Sequence, residues 1–215
     1  MIRRALPEGD LCITQHEHAL HAGRLAARFA GLPAPREALV RAVALHDAGW
    51  PLFDDAPEPL PAGRTPPVFD METGTTTPAW RRSIAVARAA GPLEALLVSR
   101  HFGRFTRAFA AEQAPWEAVW RLGVPPDVEE AGAALVSFCD ALSLRLLCDP
   151  SESVALPEGF RLDGTRLFPW PFTDDRIEDR VVGRLLPRRK WRSGKELRSA
   201  LLAAPPHPLP LVLEA

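Results

Sequence analysis

The stretch Ala134-Leu135-Val136-Ser137-Phe138-Cys139-Asp140-Ala141-Leu142-Ser143-Leu144 is apolar nearly all round when wound as a helix, yet it carries a carboxylate. A helix that is apolar on every side belongs at the centre of a protein. The stretch is the second half of a helix predicted from Asp127 to Cys148, the longest in the chain. Asp140 sits between Val136 and Leu144 with no basic residue three or four positions away, and Arg145, five positions on, points elsewhere around the helix. An unpaired buried carboxylate is costly. Something from another element must therefore neutralise Asp140.

Working outward, the periodicity predicts further helices. The first runs from about Thr14 to Gly31, with His18, Ala22, Leu25 and Phe29 at spacings of three and four. His18 then faces the core, His16 lies about 200° away, and His21 stays near the inward face. A second helix spans Pro35 to Asp47, with Leu39 and Val43 on a stripe that continues into His46 and Asp47. Helical pattern returns over Ala79–Ala90, Leu93–His101 and Phe105–Leu122, the last interrupted by Pro115. Between them, Pro51 to Pro78 holds seven prolines and little periodicity, the pattern of a lid or binding loop. After Pro150 come short extended runs at Phe160–Phe168 and Arg180–Leu186, a helix near Gly194–Ala203 and a proline-rich tail. The expected fold is mainly α: a helical core over 1–150 and a small C-terminal α+β appendage over 151–215 packed on it.

Composition sets the class. With 215 residues, 47% hydrophobic and 25% charged, the chain has the means to bury a core. A formal net charge of −1 supplies no global field for nucleic acid or an anionic membrane, so neither is expected as a partner. No leader-like segment and no apolar run of about 18 residues is evident, which leads to the expectation of a cytoplasmic protein. Three cysteines, Cys12, Cys139 and Cys148, lack metal-type spacing and suit buried thiols. Self-association stays open.

The chemistry-bearing residues are few. His46-Asp47 supplies an imidazole and a carboxylate, ligands that first-row divalent cations accept, where the negative end of a helix dipole favours a cation. Gly49 would let the turn loosen so that both side chains flank one ion. His18 and His101 face inward on their own helices, so distant segments could converge on a single ion, as helical bundles arrange. For any one histidine a hydrogen-bonded structural role is the commoner outcome, and a metal-free His–Asp network is the competing explanation for the set.

The order of a lone His, a helix-ending His-Asp pair and a distant Asp resembles the HD-domain superfamily of metal-dependent phosphohydrolases, here at His18, His46, Asp47 and Asp140. The strings Gln15 to Ala19, His46-Asp47-Ala48-Gly49-Trp50, Ser99-Arg100-His101, Asp140-Ala141-Leu142-Ser143-Leu144 and Pro169-Trp170-Pro171-Phe172 look like those of the bacterial domain of unknown function family 3891. The superfamily resemblance implies an HD-domain-like helical bundle. It also implies a divalent ion on His18, His46, Asp47 and Asp140; the few spare histidines point to one ion, the mixed His and Asp ligation suits manganese, iron, cobalt, nickel or zinc, and His101 is a fifth ligand or neighbour. The implied function is phosphohydrolysis of a small phosphorylated or nucleotide substrate. Fold does not fix function, so two alternatives stand: a non-catalytic metal-containing binder or sensor, and an HD-type iron oxygenase.

For a hydrolase, Asp47 orients a water and His101 protonates or stabilises the leaving group. Asp54 and Asp55 are alternative bases that are more often solvated. Arg64, Arg82 and Arg100 lie closest in sequence for phosphate. The basic run Arg188–Arg192 reads as a solvated face, and Pro169–Phe172 as an anchor between the two parts.

Overall fold

The computed structural model describes residues 1–57, 73–148 and 153–215. Eight helices occur among them: α1 (Gln15–Ala27), α2 (Arg36–Leu45), α3 (Pro51–Asp54), α4 (Thr73–Ala90), α5 (Pro92–Gly103), α6 (Arg107–Trp120), α7 (Pro126–Cys148) and α8 (Gly194–Ala203). Helix α7 packs against α1, α2 and α5 and buries Leu135, Val136, Phe138, Cys139, Leu142 and Leu147. It is also the described helix long and apolar enough to cross a membrane, but 56% of its apolar window is buried inside the protein, as in a core helix.

The expectation of a mainly helical bundle with a small C-terminal α+β appendage is overturned. Helix covers about half of the described residues, but a seven-stranded mixed sheet forms a half-barrel beside it. The strands are β1 (Ile2–Leu6), β2 (Gly9–Ile13), β3 (Val154–Ala155), β4 (Arg161–Asp163), β5 (Arg166–Phe168), β6 (Arg176–Leu186) and β7 (Pro206–Glu214), in the order β1-β2-β6-β7-β5-β4-β3. Residues from both ends of the chain thus share one sheet, with Asp10 opposite Leu186 and Cys12 opposite Arg184. The N-terminal hairpin closes at Leu6↔Gly9 and buries Ile2, Leu11 and Ile13 in the same core as α1, α2 and α7. Arg4 donates to the carbonyl of Leu146 near the C-terminal end of α7, where a cation meets the negative end of the helix.

The proline-rich tail is a strand, β7. Leu209, Leu211 and Leu213 alternate into the core, the period of a strand. Glu214 donates its N–H to Thr165 on the β5 side. Pro206, Pro208 and Pro210 share its parity, so their missing donors fall on that side, where β5 pairs only at Glu214. The alternate residues remain free to bond β6 over the full register from Arg176↔Glu214 to Arg184↔Pro206. Proline is tolerated where no ladder bond is lost.

Other boundaries move little. Helix α1 starts at its Thr14 cap, whose hydroxyl accepts from Glu17 N at 3.0 Å. Helix α2 ends at Leu45, leaving His46 as its C-cap and Asp47 in the following turn rather than in the last helical turn. Pro115 lies inside an uninterrupted α6. The region expected to be structureless from Pro51 to Pro78 contains α3 and the start of α4, and its middle, 58–72, lies outside the described residues.

Candidate metal centre

Three helices and one turn position the site. Helix α1 brings His18, the turn after α2 brings His46 and Asp47, α5 brings His101, and α7 brings Asp140. The turn is built from Ala48 N→Leu45 O at 3.0 Å and Trp50 N→Asp47 O at 3.1 Å. Gly49 makes it possible sterically rather than by an unusual φ. A Cβ there would lie 2.1 Å from the Ala79 carbonyl and 2.6 Å from Ser83 N, so α4 packs directly on the turn. Gly49 N also donates to Ser83 Oγ at 2.9 Å.

All five side chains expected at the site meet. His18 Nε2 is 3.0 Å from Asp140 Oδ1, and His46 Nε2 is 3.4 Å from the same oxygen and 3.5 Å from Asp47 Oδ2. His101 Nε2 is 3.8 Å from Asp140 Oδ2. The His46 ring lies 5.2 Å from that of His18 and 5.1 Å from that of His101. His18 and His46 are fully buried, and Asp140 is the most open of the set.

His46 holds the most telling atom. Its Nδ1 donates to Val43 O at 2.7 Å, while its buried Nε2 has no hydrogen-bond partner. The two carboxylates in front of Nε2 stand too far off for good hydrogen bonds. Yet their separations are close to the ligand–ligand edges, about 2.9–3.4 Å, that metal–ligand bonds of about 2.1 Å generate. Two overlapping groups, His18-His46-Asp47 and His46-His101-Asp140, keep their ligand atoms within 4.8 Å of one another and could hold a metal ion.

Electrostatics agree that positive charge is wanted there. Burial works to lower the His46 pKa, but Asp47 and Asp140 together raise it from 6.5 to about 9. The two carboxylates are pushed apart. For Asp140, burial opposes the charge, but His18, His46 and His101 hold its carboxyl well below the usual range. Asp47 is raised, by burial first and then by Asp140, against the opposing pull of His46 and His18.

His101 is differently disposed. Arg104 Nη2 lies 3.0 Å from His101 Nδ1, and a guanidinium can only donate, so the ring accepts at Nδ1 and carries its proton on Nε2. Burial, helped by the charges of His46, Arg104 and His18 and opposed by Asp140, lowers its pKa to about 3. His101 is thus a neutral N–H donor facing Asp140. Arg104, an exposed residue that also donates to Ser137 Oγ, is the arginine that reaches the site. Sequence reasoning missed it; its place three residues after His101, in the turn that follows α5, is the signal that could have found it.

The other arginines lie elsewhere. Arg100 pairs with Glu129 at 2.7 Å, Arg82 is exposed, and Arg64 lies outside the described residues. Asp54 is tied down, accepting from Gln15 N at 2.8 Å, and Asp55 is exposed. His16 is exposed, while His21 is buried against Ser143. In the basic run, Arg188 pairs with Asp10, and Arg189 stacks over a buried Trp191 at 4.1 Å. Phe172 packs on Phe29 with ring centroids 5.8 Å apart, and Pro171 O accepts from Ala30 N at 2.8 Å, so this segment anchors sheet to helices.

The geometry defines a buried His–Asp centre able to hold a cation at the junction of α1, α2, α5 and α7. The chain belongs to the family described as Protein of unknown function (DUF3891), whose model matches residues 1–188 and so spans every residue of this centre. No curated protein and no solved structure matches the chain.

Proposed function

We propose that the chain is a divalent-metal phosphohydrolase of the HD kind acting on a small phosphorylated or nucleotide substrate. The observation that carries the metal reading is His46 Nε2, buried, without a hydrogen bond, and faced by Asp47 and Asp140. The bond from His46 Nδ1 to Val43 O leaves Nε2 available as a ligand once its proton departs. His18, His46, Asp47 and Asp140 would hold the ion, and their mixed N and O set admits manganese, iron, cobalt, nickel or zinc. When bound, the ion supplies Lewis acidity toward a phosphoryl oxygen and makes hydroxide available near neutral pH.

The chain's own residues account for the rest. Arg104 stands beside the site with a partly buried guanidinium bonded to His101 and Ser137, and its remaining N–H donors suit phosphate oxygens. By donating to His101 Nδ1 it also keeps the His101 proton on Nε2, where the neutral N–H can donate a hydrogen bond that stabilises a leaving oxygen. That tautomer favours a leaving-group-stabilising role for His101 over a fifth-ligand role, since its Nε2 lone pair is taken up by the proton. Asp47, the carboxylate with the raised pKa, has the environment of a group that both ligates and orients a water.

The test is a screen of phosphomonoesters, nucleotides and cyclic dinucleotides with each of the candidate metals. Turnover that disappears in Asp47→Ala and Asp140→Ala supports the reading. No turnover in wild type, or turnover unchanged in those variants, overturns it.

A further inference from the structure

A line of buried polar groups runs from His18 toward the sheet. His18 Nδ1 and His21 Nδ1 each lie 2.8 Å from Ser143 Oγ. His21 Nε2 then faces Asp179 Oδ2 of β6 at 3.9 Å. Asp179 is itself held by Arg24 Nε at 2.8 Å and by Arg180 N at 2.7 Å. Ser143 is fully buried and His21 nearly so. The hydrolase reading uses neither residue.

We propose that Ser143, His21 and Asp179 form an orienting relay that fixes His18 as an Nε2 ligand, and that metal binding sets the direction of its protons. The proposal rests on the metal reading and deepens it. With an ion on Nε2, the His18 ring must carry its proton on Nδ1 and donate it to Ser143 Oγ. Ser143 then turns its single proton to His21 Nδ1. The His21 proton is left on Nε2, facing the Asp179 carboxylate at 3.9 Å as a favourable electrostatic contact rather than a hydrogen bond.

The hydroxyl has one other acceptor, the carbonyl of His18 at 3.3 Å. Choosing it would force His21 to donate from Nδ1 and would turn a bare Nε2 lone pair toward Asp179. Asp179 therefore selects the relay direction.

Without the ion the direction is no longer imposed. The 3.0 Å contact between His18 Nε2 and the Asp140 carboxylate requires the proton on Nε2, because an ionised carboxylate only accepts. His18 Nδ1 is then no longer fixed as a donor by a ligand on Nε2, and where it accepts from Ser143, His21 donates to Ser143 from its own Nδ1. That arrangement leaves the His21 lone pair opposite Asp179, so the relay favours the metal-bound state. Partners that orient a ligating histidine are worth about 10- to 100-fold in metal affinity.

The experiment is ¹⁵N NMR of the histidine rings in the full chain with and without zinc, together with zinc affinity by chelator competition. In zinc-loaded wild type, His18 is expected as the Nδ1–H tautomer and His21 as Nε2–H; without zinc, His18 is expected to carry a proton on Nε2. Ser143→Ala weakens zinc binding about 10- to 100-fold, whereas Ser143→Thr, which keeps the hydroxyl, stays near wild type. Thermal unfolding of the zinc-free variants verifies that they fold, and the wild-type tautomers decide the matter if they do not. Zinc-loaded wild type with His21 protonated on Nδ1, or Ser143→Ala with undiminished affinity, overturns the relay alone. Failure of wild type to bind zinc, with His46 signals unmoved, overturns the metal reading and the relay with it.

Discussion

His46 Nε2 lies 3.4 Å from Asp140 Oδ1, so the cap of α2 and the middle of α7 meet through a charge pair inside the protein. Removing one partner of a buried pair leaves the other uncompensated. Asp140→Ala is expected to destabilise the metal-free protein by about 3 kcal/mol in denaturant melts and to abolish tight metal binding. Asp140→Asn should restore much of the packing but not the affinity. Wild-type metal affinity in either variant would remove Asp140 from the ligand set.

The same pair sets a pH dependence. The folded-state pKa of His46 is about 9, above its ordinary 6.5. Its stabilising contribution to the metal-free protein is therefore complete below 6.5 and is lost as pH rises through about 9. Metal affinity should move oppositely over that window, because the His46 proton must leave before Nε2 can ligate. Denaturant midpoints and metal titrations across this range read both slopes. A metal-free stability that is flat there, or an affinity that falls, contradicts the assignment.

Gly49→Ala tests the turn that carries His46 and Asp47. The added methyl meets backbone atoms of Ala79 and Ser83, which cannot swing aside as a side chain would. A loss of about 2 kcal/mol is expected from the overpacking, accompanied by weaker metal binding because the ligand pair shifts with the turn. A variant as stable as wild type would show that α4 can retreat at little cost.

For Arg104, the expected signature is kinetic. With a phosphorylated substrate in hand, Arg104→Ala should lower kcat/KM by about 10- to 100-fold, the worth of one or two charge-assisted hydrogen bonds. Arg104→Lys should recover little, since it lacks the planar fork. Equal activity in wild type and both variants would place phosphate recognition elsewhere.

Deleting 206–214 distinguishes the observed sheet from an appendage. Strand β7 lies between β6 and β5 and contributes Leu209, Leu211 and Leu213 to the core shared with α1, α2 and α7. Loss of the cooperative melt of the whole protein is expected. A truncated chain that retains a native helical core by circular dichroism would contradict this.

The helical half of the fold was legible because its signals are local. The apolar run around Asp140 reads as a buried helix, and Thr14 starts its helix as the residue chemistry dictates. The sheet was not legible for the opposite reason. Its partners lie far apart in sequence, the N-terminal hairpin is short and carries Arg3 and Arg4, and the alternate prolines of β7 hide the alternate leucines. Among the site residues, Asp140 and the His46-Asp47 pair follow from the cost of a buried charge, whereas His18 owed most to the family resemblance. Arg104 and Ser143 reveal themselves only through which ring nitrogen they touch, a relationship that sequence does not carry.

The central claim is that His18, His46, Asp47 and Asp140 hold one divalent ion, and metal stoichiometry by titration of the full chain tests it most directly. Wild type should bind about one manganese, iron, cobalt, nickel or zinc ion per chain, with His46→Ala and Asp140→Ala binding none tightly. Wild type that takes up no ion, or variants that take it up as well as wild type does, would contradict the account.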